Sequence, residues 1–140
     1  MRVFLDTNVL VYAKDSRYPE KQRTAAALVE RAIASGDGRL SMQVLEEFYR
    51  TVTGKLTPGL THEQAQQAVR ALRVLRPTPI EWDLLEEAWE VETEAKLSWW
   101  DSLIVAAALR SGCTILYSED LAHEMRIRTV GVRNPFRDET

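Results

Sequence analysis

The chain has very little cysteine: Cys113 is the single one among 140 residues. An internal disulfide is therefore excluded, and the apolar run that follows Cys113 favours a buried structural thiol over a nucleophile. No stretch approaches the run of about 18 apolar residues that a membrane-spanning helix needs. The N-terminus is also too short for a signal peptide. We therefore expect a cytoplasmic protein that has no membrane partner.

The sequence also lacks an excess of positive charge. Its 18 basic and 21 acidic residues leave a formal net charge of -3, so composition neither argues for nucleic-acid binding nor excludes it. Two groups of arginines could follow a nucleic-acid backbone locally, although solvated surface faces are the simpler interpretation. These groups are Arg70, Arg73 and Arg76 at helical spacing, and Arg126, Arg128, Arg133 and Arg137 near the C-terminus. With 45% hydrophobic residues, the chain is the size of one ordinary domain, and we expect residues 1–140 to form it.

Short apolar runs predict strands that alternate with helices. Val3–Leu5 and Thr114–Tyr117 are each stopped by polar residues and indicate buried strands, and shorter strands are expected at residues 39–41, 74–78 and 127–132. Strands separated by helices imply an α/β fold with a short parallel sheet of about five strands, flanked by helices on both faces.

Several residues indicate where the helices begin and which faces they bury. Ser41 is suited to cap a helix that starts at Met42, and Thr61 with Gln64 forms a capping box. In the helix predicted from 81 to 96, Trp82, Leu85 and Trp89 recur at helical spacing. We expect this stripe to face the core, with its tryptophans used for packing.

Carboxylates stand where the predicted strands and helices end or begin. Asp6 and Asp120 follow strands, and Asp101 lies near the positive N-terminal end of a helix. Ligands bind at the carboxyl ends of strands in such sheets, so Asp6 and Asp120 should meet if their strands are neighbours. Converging carboxylates repel unless a cation lies between them, and hard oxygen ligands favour Mg²⁺ or Mn²⁺.

Four motifs in register resemble the PIN-domain nucleases, and above all the VapC-type toxins of toxin–antitoxin pairs. These motifs are Leu5-Asp-Thr-Asn-Val-Leu10, Ser41-x-x-Val-Leu-x-Glu-Phe48, Trp100-Asp-Ser-Leu-Ile-Val-Ala-Ala107 and Ser118-Glu-Asp-Leu121. Each motif is weak alone, but the four occur in the family's order and the resemblance covers nearly the whole chain. It implies a single PIN-like nuclease domain.

The resemblance implies specific roles for these residues. The family's acidic residues fall on Asp6, Glu47, Asp101 and Asp120, which would bind one or two Mg²⁺ or Mn²⁺ ions and hydrolyse RNA phosphodiesters. Asn8 and Ser118 match the supporting polar positions. The implied partners are a structured RNA such as tRNA or ribosomal RNA, a cognate antitoxin and a second copy of the chain. Helical periodicity does not separate Glu47 from Glu46, and Asp120 has an acidic neighbour, Glu119, although the family pattern favours Asp120.

Other readings of the sequence remain open. The fold could bind RNA or a partner without cutting it. A Mg²⁺-binding phosphoacceptor domain would need a lysine after a late strand, and neither Lys55 nor Lys96 is placed that way. His62 and His123 lack a metal-binding spacing and are expected to be exposed helix residues. Ser102 and Ser118 have no base nearby in sequence, so a hydrolytic triad has little support.

Overall fold

The computed structural model describes residues 1–137 and places a five-stranded sheet among six helices. Residues 138–140 of the predicted domain lie outside the described residues. The strands are β1 (Val3–Leu5), β2 (Gly38–Arg39), β3 (Ile115–Tyr117), β4 (Arg126–Ile127) and β5 (Val130–Arg133). The helices are α1 (Thr7–Tyr12), α2 (Pro19–Ser35), α3 (Met42–Gly54), α4 (His62–Leu72), α5 (Trp82–Ala95) and α6 (Trp99–Arg110). The predicted α/β fold, with helices flanking the sheet, is confirmed.

The sheet has the order β2-β1-β3-β5-β4 and is parallel except for the β4–β5 pair. The strand β2 lies on one side of β1, and the later strands β3, β5 and β4 lie on the other side. The strand order therefore reverses between β1 and β3, which is the topological switch point of the sheet. Val3 pairs with Ile115 and Leu5 with Tyr117. The two strands therefore end side by side, as the predicted meeting of Asp6 and Asp120 required.

Two strand predictions were wrong in detail. The stretch 74–78 is not a strand, because Arg73–Leu75 forms a 3₁₀ turn and Thr78 makes only an isolated bridge to Ser41. The predicted strand at 127–132 is a hairpin of two strands, β4 and β5, and the antiparallel β4 forms the edge of the sheet.

The predicted helix starts are confirmed by their hydrogen bonds. The Ser41 hydroxyl accepts from the backbone N–H of Val44, and Thr61 and Gln64 form the reciprocal capping box. At the other ends, Gly36 and Gly112 follow α2 and α6 with φ values of 76° and 72°, a backbone conformation that favours glycine.

The helix α1 was not predicted from the sequence. It has only six residues and starts directly after β1, where the polar Asp6-Thr-Asn8 was read simply as the end of a strand. Asp6 is in fact the N-cap of α1, and its carboxylate accepts a hydrogen bond from the backbone N–H of Thr7. The strand tip and the helix cap are therefore the same residue.

The face of α5 that packs inward was predicted wrongly. Leu84, Ala88 and Val91 are the buried residues, whereas Trp82 and Trp89 are 63% and 46% exposed. The helix α5 packs against α6. The two tryptophans lie at the surface, where Trp82 meets Trp89 edge-on and Trp89 stacks on Trp99 at the start of α6. The expectation that these tryptophans pack in the core is therefore wrong.

The core surrounds the central strands and α6. Phe4, Phe48 and Leu116 are among its fully buried side chains. Cys113 is also buried, and burial raises the pKa of its thiol to about 11, which supports a structural role. Within residues 1–137, no helix has both the length and the apolar character needed to cross a membrane.

Candidate active site

The site begins where β1 and β3 end. The backbone N–H of Asp6 donates to the carbonyl of Tyr117 at 3.0 Å, which fixes the two strand ends against each other. Immediately after Tyr117, the chain places Ser118, Glu119 and Asp120 on the same edge of the sheet. The acids that follow the two strands are thus brought together by the register of the sheet.

Asp6 is only 6% exposed, and this burial dominates its chemistry. Burial raises the pKa of its carboxyl group from 3.8 to about 6, because the charged form loses its hydration. Hydrogen bonds from the Ser118 hydroxyl and the Thr7 backbone lower that pKa, and the charges of Asp120 and Glu47 raise it. A buried carboxylate is therefore held among other carboxylates and donors.

Ser118 and Asn8 orient the acids through a connected set of hydrogen bonds. The fully buried Ser118 hydroxyl donates to Asp6 Oδ2 at 2.7 Å and accepts from the backbone N–H of Asp120 at 3.1 Å. Asn8 Nδ2 donates to Asp120 Oδ2 at 3.2 Å, and its Oδ1 accepts from the backbone N–H of Glu119 at 3.1 Å. Both residues that were predicted to support the acids are therefore in direct contact with them.

Glu47 and Asp101 stand on two helices, α3 and α6, that Gln43 joins, and the charge of Asp101 acts on Glu47. Gln43 Nε2 donates to the carbonyl of Trp100 at 3.3 Å, which ties α3 to the first turn of α6. Glu47 lies one turn beyond Gln43, and Asp101 follows Trp100. Partial desolvation raises the pKa of Glu47, the Gln43 side chain lowers it, and the negative charges of Asp101, Asp120 and Glu46 add to the increase.

Gln43 was missed by the sequence reasoning. It is 7% exposed, which is unusual for a polar side chain, and its hydrogen bond to Trp100 ties the helix that carries Glu47 to the helix that carries Asp101. The signal in the sequence is a glutamine one helical turn before a candidate ligand, inside an otherwise apolar stripe. Periodicity alone gives no reason to single it out.

The structure separates Glu47 from Glu46, which periodicity could not do. Glu47 lines an open cleft of about 380 Å³ together with Asn8 and Asp120. Glu46 instead lines a different depression between α3 and α4. Of the two adjacent glutamates, Glu47 is the one that faces the other acids.

Glu119 and Asp120 are likewise separated by their contacts. Glu119 accepts hydrogen bonds from Tyr12 at 2.8 Å and from Lys21 at 2.6 Å. Its charge is therefore paired with a cation. The side chain of Asp120 is instead hydrogen-bonded to Asn8 and contacts no lysine or arginine among residues 1–137.

The donor set fits a hard divalent cation in chemistry and in charge. No ion pair neutralises Asp6, Glu47, Asp101 or Asp120 within the described chain, and their mutual repulsion raises two of the four pKa values. Beside Asp6, the buried hydroxyl oxygen of Thr7 has no hydrogen-bond partner in residues 1–137. As placed, no three side chains of the types that bind metals are close enough to hold one ion among these residues. To bind one cation together, the carboxylates must come closer by side-chain rotation, and the exposed side chains of Glu47 and Asp120 are free to rotate.

The other candidate side chains lie apart from this chemistry. His62 is exposed at the start of α4, as expected. His123 is half-buried outside any helix, contrary to expectation, and its Nδ1 accepts from the backbone N–H of Asn134. Ser102 donates to the carbonyl of Ser98 within α6. Lys55 and Lys96 follow α3 and α5 rather than strands, so neither has the place that a phosphoacceptor domain requires.

Comparison with known proteins bears on the family and on the fold. The PIN domain family model matches residues 3–125, which is most of the chain. A search of curated proteins gave no significant match.

Solved structures with the same fold include toxin–antitoxin proteins. A toxin–antitoxin complex from Klebsiella pneumoniae shares 21% identity with a TM-score of 0.72, over 99% of this chain and 100% of that one. VapBC2 from Rickettsia felis, bound to a DNA fragment from its promoter, shares 20% identity with a TM-score of 0.65, over 96% of this chain and 98% of that one. VapC20 from Mycobacterium tuberculosis, a sarcin-ricin loop cleaving toxin, shares 25% identity with a TM-score of 0.58, over 84% of this chain and 89% of that one.

Proposed function

Because the chain belongs to the PIN domain family, we propose that it is an endoribonuclease that depends on Mg²⁺ or Mn²⁺ and hydrolyses RNA phosphodiester bonds. One observation carries the proposal. A buried carboxylate, Asp6, lies at the switch point of the sheet, and the charges of two further acids raise its pKa while no lysine or arginine among residues 1–137 forms an ion pair with it. Such an arrangement is unfavourable on its own and favourable around a divalent cation.

Each of the four acids has a role that follows from its position. We assign Asp6 and Asp101 as the principal ligands of the cation, because one is fixed at a strand end and the other in the first turn of α6. Glu47 and Asp120 are further ligands, bound directly or through water. Asn8 and Ser118 hold Asp6 and Asp120 in place by the hydrogen bonds described above.

The chemistry needs no nucleophilic side chain. When bound, one or two such cations supply a lowered pKa for a water molecule and positive charge beside the phosphodiester. The protein keeps Asp6 ionised at neutral pH through the Ser118 hydroxyl and the Thr7 backbone N–H. The Ser118 hydroxyl is buried and donates to Asp6, so its role is to orient the carboxylate.

The proposed biological role is that of the toxin of a type II toxin–antitoxin system. The fold similarity to toxin–antitoxin complexes and to VapC20 supports this role. The proposed role includes a cognate antitoxin, a homodimer, a cytoplasmic location and a structured RNA substrate such as tRNA or ribosomal RNA. An antitoxin would restrain the enzyme most simply by placing an arginine or lysine among the carboxylates, where it competes for the position of the cation.

A PIN-like domain that binds RNA without cutting it is the second candidate. The acids argue against it, since a binding domain has no need to bring the charges of Glu47 and Asp120 near the buried Asp6 when no lysine or arginine among residues 1–137 forms an ion pair with that carboxylate. Activity is the property on which the two candidates differ.

The experiment is cleavage of total bacterial RNA by the purified full chain in Mg²⁺ or Mn²⁺. The proposal predicts discrete products that are absent in EDTA and absent with Asp6→Asn. Sequencing the product ends would then identify the RNA and the site of cleavage. Intact RNA in the presence of measurable metal binding would favour the non-cutting candidate, and cleavage that persists in EDTA would contradict the proposal.

A further inference from the structure

A second buried carboxylate, Asp15, lies outside the group of four acids and is committed to a single arginine. Asp15 is 3% exposed. Its Oδ1 accepts from Arg17 Nε at 3.0 Å and its Oδ2 accepts from Arg17 Nη2 at 3.0 Å, which makes a two-pronged ion pair. The backbone N–H of Arg17 also donates to Asp15 Oδ1 at 3.1 Å. Because of these bonds, the pKa of Asp15 lies below its usual range.

This ion pair fixes the orientation of the Arg17 guanidinium and uses Nε and Nη2, but not Nη1. Planar two-pronged pairs hold an arginine in one orientation. The Tyr18 ring lies on another side, with its centroid 5.5 Å from Arg17 Cζ. Within residues 1–137, Arg17 Nη1 makes no hydrogen bond or ion pair, and the Arg17 side chain remains 48% exposed. A guanidinium that is fixed in orientation and still has free N–H donors is suited to bind a second anion.

The position of Arg17 indicates which anion this is. Arg17 lines the same open cleft as Asn8, Glu47 and Asp120. Among the described residues that line this cleft, Arg17 is the one lysine or arginine. The nearby Lys21 is already paired with Glu119 at 2.6 Å.

An acidic cleft repels the phosphates of the RNA backbone, and a cation bound by the four acids would offset that repulsion only close to itself. Neighbouring phosphates need a positive partner of their own, and arginine matches phosphate geometry with two donors. We propose that Arg17 binds a backbone phosphate of the RNA next to the reacting one, and that Asp15 is the positioning residue that orients it. This inference rests on the proposed function and names a substrate contact for the same site.

The test measures RNA binding in a background that does not cleave. The probe is a short fluorescein-labelled single-stranded RNA of random sequence, titrated with the full-length Asp101→Asn protein in Mg²⁺ at several salt concentrations. Fluorescence anisotropy gives the Kd and its salt dependence. The added variant is Arg17→Gln, and the matched control is Arg31→Gln, which removes an equal charge from an exposed position on α2.

Arg17→Gln should weaken binding about tenfold. The slope of log Kd against log salt concentration should fall by about 0.7, the value for one lost phosphate contact on a single strand. Arg31→Gln should change neither quantity. Arg17→Gln removes the cation that pairs with the buried Asp15, so the unfolding temperature of each variant is measured as well and Kd is compared at a temperature where all of them are folded. The backbone N–H bond of residue 17 to Asp15 does not depend on the side chain.

Two further variants separate positioning from simple charge. Arg17→Lys keeps the positive charge but lacks the planar, two-donor guanidinium. The salt slope should therefore stay at the parent value, while the affinity should lie between those of the parent and Arg17→Gln. Asp15→Asn leaves the arginine charged but less firmly held, so affinity should fall with the salt slope unchanged. If the pair had a purely structural role, the variants would lower the unfolding temperature, and their effects on Kd and on the salt slope would not differ in this way.

The outcomes distinguish this inference from the function on which it rests. Equal Kd values and slopes for Arg17→Gln and Arg31→Gln overturn the inference, while cleavage of total RNA by the wild-type chain would still support the nuclease. If the Asp101→Asn parent does not bind the probe and the wild-type chain does not cleave total RNA, both fail.

Discussion

Replacing Asp6 by asparagine should stabilise the metal-free protein at neutral and alkaline pH. Burial raises the pKa of this carboxyl group from 3.8 to about 6 in the folded state. A rise of that size corresponds to roughly 3 kcal/mol of folding free energy that the ionised carboxylate costs. Asparagine has nearly the same shape and carries no charge, so this cost should disappear in the Asp6→Asn variant.

The hydrogen bonds of Asp6 reduce the expected gain. The asparagine oxygen can still accept from the Thr7 backbone N–H. The Ser118 hydroxyl, however, loses a carboxylate oxygen as its acceptor, and such a loss costs about 1 kcal/mol. We therefore expect a net stabilisation of about 2 kcal/mol, measured by urea unfolding in EDTA at about pH 8.

The sign of the pH dependence provides a second check on the same variant. The folded pKa lies above the unfolded pKa, so the destabilisation is complete above about pH 6 and is lost as the pH falls towards 3.8. As the pH falls over that range, the free energy of unfolding of the wild-type protein should therefore increase relative to that of the variant. Added Mg²⁺ should stabilise the wild type more than the variant, because the cation neutralises Asp6. A variant that is less stable than wild type at about pH 8 in EDTA would refute this reasoning.

Three smaller predictions use other contacts of the fold. Glu47→Gln should abolish RNA cleavage while Glu46→Gln retains it, because only Glu47 lines the acidic cleft; equal activity of the two would contradict the assignment. Ser118→Ala removes a hydrogen bond that lowers the pKa of Asp6, so NMR titration of the Asp6 carboxyl carbon should give a value higher than in wild type. Trp82→Ala should lower the free energy of unfolding by less than about 1 kcal/mol, since the side chain is 63% exposed; a loss of several kcal/mol in urea unfolding would place it in the core.

The sheet and the edge that carries the site were predictable because they depend on local signals. Val3–Leu5 is an apolar run stopped by an acid, and Asp120 follows the run that ends at Tyr117. Once both strands are assigned to a parallel sheet, their carboxyl ends must share an edge. Ser41 and Thr61 were predictable for a similar reason, because a cap is a property of a few consecutive residues.

The inward face of α5 could not be predicted because its sequence contains two stripes at helical spacing. Trp82, Leu85 and Trp89 form one, and Leu84, Ala88 and Val91 form the other. Hydrophobicity favours the tryptophans, but the stripe that contains a small residue is the buried one. That choice belongs to tertiary structure, which no local pattern describes.

The choice between Glu46 and Glu47 had the same kind of cause. Both flank the apolar stripe of α3, and they are distinguished by the surfaces they line, since Glu47 lines the cleft that holds Asn8 and Asp120 and Glu46 lines the depression between α3 and α4. The hydrogen bond from Gln43 to the carbonyl of Trp100 holds α3 in this orientation against α6. That bond joins residues 57 positions apart in the chain. The family resemblance indicated Glu47 without a physical reason, and the contact between α3 and α6 supplies one.

The central claim is that these carboxylates bind a divalent cation that RNA cleavage requires. The most direct measurement is the rate of RNA cleavage as a function of Mn²⁺ concentration, for the wild-type chain and for Asp101→Asn. We predict a wild-type rate that is negligible in EDTA and rises with Mn²⁺ to saturation, and a variant that stays inactive over the same range. Cleavage that is independent of Mn²⁺, or equal rates for the two proteins, would contradict the claim.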